Sequence, residues 1–161
     1  MTSSWIVSAI LLIGIAAHAY PTVGDKVTWS GTVNNATGSS EITITKEIVA
    51  FDKDSKKWKV KTDTKIGKET SSETVELAEL FTPDRYKDII KNCEEKGGVI
   101  EKITTHPGKY KTCKMTTVSS NGVVIEKWWG DIPFGVVSRN TKDQAGVAQS
   151  ESPIQSLVTD L

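Results

Sequence analysis

The sequence predicts a mainly β (α+β) fold: a curved antiparallel sheet, or half-barrel, of about eight strands with one packed helix near residues 82–96. Three observations carry that expectation. From Lys26 onward apolar and polar residues alternate and Thr, Val and Ile are frequent, the pattern of half-buried strands. Short clusters of turn-forming residues separate the alternating runs. Only the segment after Thr82-Pro83-Asp84 switches to a helical period.

Residues 26–33 form the first expected strand, closed by Asn34-Asn35-Ala36-Thr37-Gly38. The second spans 41–51, and its apolar parity moves from Ile42 and Ile44 to Val49 and Phe51, which predicts a bulge. Asp52-Lys53-Asp54-Ser55 turns into a third strand over 57–66, with Trp58, Val60 and Ile66 on one face and Lys57, Lys59, Lys61 and Lys65 on the other. Gly67-Lys68 reverses the chain into a fourth strand over 69–77, completing a meander. Thr82, Pro83 and Asp84 suit a helix start because they cap free amides, fit the first turn and oppose the positive dipole end. Tyr86, Ile89, Ile90 and Cys93 then draw one apolar stripe, and Gly97-Gly98 ends the helix. Strands over 99–105, 109–118, 123–129 and 134–140 follow, with Pro107-Gly108 and Asn121-Gly122 as turns.

Residues 1–19 read as a cleavable export signal. Residues 5–17 are a thirteen-residue apolar stretch, and Ala17-His18-Ala19 is the small-x-small pattern cut by a signal peptidase. No Lys or Arg precedes the stretch, which departs from the usual charged start. An uncut anchor is the alternative reading, but the stretch is short for a span, which needs roughly 20 apolar residues. Residues 20–150 are then a single β-rich domain and 151–161 a polar tail, with 145–149 a candidate edge strand. Twenty basic residues balance twenty acidic ones, so no overall field draws in nucleic acid or an anionic membrane. Asn35-Ala36-Thr37 is a glycosylation sequon, meaningful only in a host that has the machinery.

Catalytic chemistry finds little purchase. His106 is the one histidine beyond residue 19 and stands beside Pro107-Gly108, where an exposed turn residue is expected. One His and two cysteines do not make a four-ligand zinc set, so no metal and no cofactor is assigned. Asp52-Lys53-Asp54 opens like a calcium loop, but Lys56 and Lys57 stand where that loop needs an oxygen ligand and glycine. Scattered carboxylates leave a hydrolase as a remaining alternative. Cys93 and Cys113 are expected to bridge helix to sheet in an oxidising compartment, against the alternatives of two free thiols or a redox pair. The lysine row reads as a solvated face, since Asp63 interrupts it and no aromatics interleave.

The densest aromatic stretch is Trp128-Trp129-Gly130-Asp131-Ile132-Pro133-Phe134. Adjacent residues of a strand point to opposite faces, so Trp128 and Trp129 cannot share one thin core. Trp128, Trp129 and Phe134 are therefore the candidate surface for a partner or ligand, against the plainer reading that one Trp is core and the other lies under a loop.

Residues 106–113, His-Pro-Gly-Lys-Tyr-Lys-Thr-Cys, and 128–137, which continue from Trp128 through Pro133, Phe134 and Gly135 to Val137, resemble two motifs of bacterial exported domains related in shape to lipoprotein carriers. The resemblance implies a half-barrel partly closed by a helix, with acyl chains held in its concavity in the carrier relatives. The Thr- and Lys-laden strands here offer few side chains to line such a cavity. The sequence therefore points to an exported, non-enzymatic binding domain whose partner is an envelope or secreted protein, with a lipid or lipoprotein carrier as the alternative. No nucleic-acid partner is expected, nor a span of the membrane after cleavage.

Overall fold

The computed structural model describes residues 20–35 and 38–142 and the backbone of 155–158. The export segment with Ala17 and Ala19, residues 36 and 37 of the sequon, and the candidate strand 145–149 lie outside the described residues.

The chain runs β1 (Lys26–Asn35), β2 (Gly38–Asp52), β3 (Lys57–Ile66), β4 (Glu69–Leu77), α1 (Pro83–Lys91), β5 (Val99–Thr105), β6 (Gly108–Val118), β7 (Val124–Trp129), β8 (Val136–Lys142) and β9 (Gln155–Val158). The eight expected strands and the helix are present. They are hydrogen-bonded as two antiparallel sheets, ordered β4-β3-β2-β1-β9 and β5-β6-β7-β8, and no closed barrel forms among the described residues. β9 falls inside the segment expected to be a polar tail, and pairs Val158 with Val27 and Gln155 with Ser30. That pairing covers an edge that the sequence pattern of 26–33 gave no reason to think covered.

Local chemistry accounts for the turns and the bulge. Asp52 Oδ1 accepts the amides of Asp54 and Ser55 at 2.9 and 3.2 Å, so this acidic cluster is a hairpin turn. Those amides hold the Asp52 carboxyl below its usual range. The register of β2 against β3 shifts between Ile48 and Ala50, placing the bulge where the parity change put it.

Directly opposed residues share a face, so the pairings assign one apolar face to the first sheet: Val27 and Trp29 of β1, Ile42, Ile44 and Ile48 of β2, Trp58 and Val60 of β3, then Phe51 beyond the bulge. Val27, Ile48 and Val60 are fully buried and Trp29 nearly so. The core forms where this face meets the second sheet, as Val27 and Trp29 pack with Ile132 and Val137. Burying each such side chain contributes roughly 1.5 to 3 kcal/mol, so these few residues dominate the contact between sheets. The Trp29 indole Nε1–H donates to the Val136 carbonyl at 2.7 Å, which satisfies its polar atom inside that core.

The helix is shorter than expected. Thr82 caps it by accepting the Arg85 amide at 3.2 Å, but it ends at Lys91, with Asn92 as C-cap. Residues 92–97 continue as turns and Gly97, at φ +77°, reverses the chain. Cys93 therefore lies just past the helix rather than in its last turn. It bridges to Cys113 of β6, with the two Cα atoms 5.8 Å apart and both residues fully buried. Gly98 is required beside the bridge, because a Cβ there would lie 2.7 and 2.8 Å from the two sulfurs.

Candidate functional site

The aromatic residues singled out by the sequence are separated by the structure. Trp128 opposes Lys114 and Trp129 opposes Cys113, so the two indoles occupy opposite faces of the second sheet, as alternation requires. Trp129 stacks on Phe81 at 5.8 Å, and Phe81 stacks in turn on Tyr20 at 6.4 Å. The Tyr20 hydroxyl donates to Asp131 Oδ1 at 2.6 Å; burial first, and that carboxylate second, push the phenol far above its usual range. Trp128 donates its indole N–H to Glu101 and lies under the Lys114 ammonium, 5.0 Å from the ring centre. Lys114 also pairs with Glu126 at 2.6 Å, and Lys142 and Asn140 reach the same carboxylate at 3.5 and 3.2 Å. The Lys114 hydrogen bond is the main reason the Glu126 carboxyl is held below its usual range. Both tryptophans are thus engaged by their own chain, and neither stands clear of its neighbours as a bare anchor.

Phe134 belongs to neither strand. Expected at the start of the last long strand, it sits in the loop before β8 with φ +65° and meets Trp29 edge-on at 6.3 Å. Together they line a cleft of about 210 Å³ between β1–β2 and β7–β8, which Ile44, Lys46, Lys127 and Arg139 also border. His106 is an exposed residue of the β5–β6 turn.

A surface that sequence reasoning did not single out lies at the far end of the first sheet. β4 is an edge strand, and all nine of its residues are exposed. Its pairings with β3 put Glu69, Ser71, Glu73, Val75 and Leu77 on the sheet's apolar face, continuous with Val60 and Trp58. Here that face is not covered: Phe51, Val75 and Leu77 remain 39 to 40% exposed. Phe51 and Trp58 pack ring to ring at 4.5 Å and floor this corner. The other face is polar and internally matched, since Glu76 lies 3.7 Å from both Lys57 and Lys59 and Lys61 lies 2.9 Å from Asp63. The Ser72 hydroxyl first, and Lys61 second, hold the Asp63 carboxyl below its usual range. By contrast, no salt bridge joins Glu69 or Glu73 to a cation among the described residues.

The chemistry available at this edge is recognition by the backbone. An unpaired strand presents alternate N–H and C=O groups to any extended segment that can lie beside it. The sequence did hold a signal for it: a four-strand meander that ends in a helix leaves its last strand with one partner, and Glu69 to Glu76 carry a single apolar residue.

No family model, no curated protein and no solved structure matches the chain, so its function is argued from these surfaces alone.

Proposed function

We propose that the protein is an exported, non-enzymatic interaction module that takes up an extended segment of an envelope or secreted protein as an added strand along β4. The single observation that carries this reading is a wholly exposed strand whose outer edge has no partner strand among the described residues, flanked by the uncovered corner of Phe51, Trp58, Val75 and Leu77. The Cys93–Cys113 bridge and the lack of a long apolar helix among the described residues suit the export that residues 1–19 suggest.

Charge decides what kind of strand fits. A second copy aligned antiparallel about Glu73 would set that carboxylate beside itself, which disfavours self-pairing. A partner with cations opposite Glu69 and Glu73 and apolar side chains opposite Val75 and Leu77 would match both ends of the edge. Acyl-chain carriage would call for a cavity of about 300 Å³ or more. The cleft near Trp29 is smaller, about 210 Å³; of two roomier hollows, one of about 690 Å³ is lined by hydroxyl and charged side chains of β2, β3 and β4, and one of about 390 Å³ by Pro21, Trp58 and Leu80 together with Glu79, Thr82 and Arg85.

The test is amide hydrogen exchange on the full oxidised chain with a nine-residue peptide that carries apolar residues at positions one and three and lysine at five and nine. The β4 amides that face away from β3 should gain protection, and Glu73→Lys should weaken binding about tenfold or more. Unchanged exchange along β4 at saturating peptide would sink the proposal, as would equal protection by a peptide with glutamate in place of both lysines.

A further inference from the structure

The cleft between the sheets has a composition that the packing of the fold does not explain. On the apolar face of β2, Lys46 stands between Ile44 and Ile48, opposed by Val27 on one side and Thr62 on the other. An aliphatic residue there would continue the face, whereas Lys46, itself half-buried, carries a cation along its apolar neighbours. Across the cleft Lys127 opposes Arg139 in the β7–β8 ladder, and cations placed directly opposite destabilise an antiparallel pair. All three side chains border the same space, whose floor is Trp29 and Phe134. No salt bridge joins Lys46 or Lys127 to a carboxylate among the described residues.

We propose that this cleft is a binding site for a small carboxylate monoanion carried on a single ring or a short apolar body. The carboxylate sits between Lys46 and Lys127, and the apolar part lies against Trp29 and Phe134. Size sets the class: an apolar cavity of about 150 Å³ accepts benzene, and about 210 Å³ leaves room for one ring and its carboxylate but not for a long acyl chain. The floor is rigid where it matters, because the Trp29 indole is fixed by its hydrogen bond to Val136. A pre-set aromatic wall with cations at its rim gives orientation as well as affinity. Lys127 is itself held over the Trp129 ring, 5.9 Å from its centre, which restrains the ammonium near the rim. This site is distinct from the β4 edge, from which β3 separates β2 and β1.

The experiment titrates the full oxidised chain with phenylacetate and with phenylacetamide, which keeps the ring and loses the charge. It reads the NMR resonance of the Trp29 indole N–H. Saturable shifts at millimolar phenylacetate are expected, as a ligand of about ten heavy atoms allows. The amide should bind about tenfold more weakly. Lys46→Met should lose about tenfold in affinity while unfolding at the same or a higher temperature, because the methionine side chain suits its apolar neighbours. Equal affinity for acid and amide would overturn the proposal and leave an uncharged slot. No shift at Trp29 up to about 10 mM would overturn it too, being weaker than such a ligand should bind. Lys127→Met gives a second reading if Lys46→Met fails to fold, and unchanged affinity in that variant counts equally against the site.

Discussion

The two sheets are finished to different degrees. In the second, a disulfide joins β6 to the turn beyond the helix, a stack of Tyr20, Phe81 and Trp129 covers one face, and Glu101, Lys114 and Glu126 engage the other. In the first, β1 and β2 are buried against the core while β4 ends the sheet with every residue exposed. Ion pairs and exposed apolar side chains occur in both halves, Val99 and Val118 in the second sheet and Phe51, Val75 and Leu77 in the first, but the cross-link belongs to the second alone. The cross-linked sheet is the braced half, and the β4 edge is the open one.

If that contrast is right, damage to the braced half should cost far more stability than damage to the open edge. Replacing Cys93 and Cys113 by serine should destabilise by roughly 3 kcal/mol, as expected for opening a closed loop of this length, read as a lower urea midpoint. Gly98→Ala probes the same place with the cysteines intact. Its Cβ would meet both sulfurs, so a loss of about 1 to 3 kcal/mol is expected by the same measurement.

Glu126→Gln should cost about 1.5 kcal/mol, because a charged hydrogen bond to the shielded Lys114 ammonium becomes a neutral one. The sign of the pH dependence follows from the lowered carboxyl. The group contributes fully above the ordinary glutamate value and progressively less as pH falls below it toward the folded-state value. Acid should therefore lower the thermal midpoint of the parent more steeply than that of Glu126→Gln. A parallel decline in the two proteins would show that the Lys114 contact does not contribute.

Thr82→Ala removes the acceptor for the Arg85 amide and should cost about 1 kcal/mol, seen in the denaturation midpoint. Smallest of all, Val75→Lys on the open edge should change stability by no more than about 0.5 kcal/mol while abolishing uptake of a cationic peptide. A large loss of stability from Val75→Lys would break the comparison, because it would make β4 a structural element rather than a free one.

The sequence disclosed those features that depend on neighbours along the chain. The β2 bulge was visible because an extra residue changes apolar parity within the strand, and the Thr82 cap because capping is completed within four residues. The cysteine pair was legible because only two cysteines are present. The helix end was misjudged by several residues, since Gly97 marks the reversal of the chain while the hydrogen-bonded turns from Asn92 onward already replace the helix. Trp128 and Trp129 stand out by their adjacency in the densest aromatic stretch, yet their partners Glu101 and Phe81 are remote in sequence and carry no local signature. The Trp29 cleft needs β1, β2, β7 and β8 at once, and Lys46 looks ordinary until its face is known. The division into two sheets was hidden for the same reason: alternation reveals strands, but not which strand stops pairing with which.

The returning strand β9 gives the fold a temporal order. Residues 155–158 follow every other strand in the chain, and they pair with β1, which is made first among the strands. Until they arrive, β1 is a second open edge, next to Trp29 and Val27, which become the centre of the core. A chain threading out of a pore would hold that adhesive margin exposed until residues 155–158 emerged to seal it. A product cut short before residue 155 would keep β1, the strand that carries Val27 and Trp29, as an open margin.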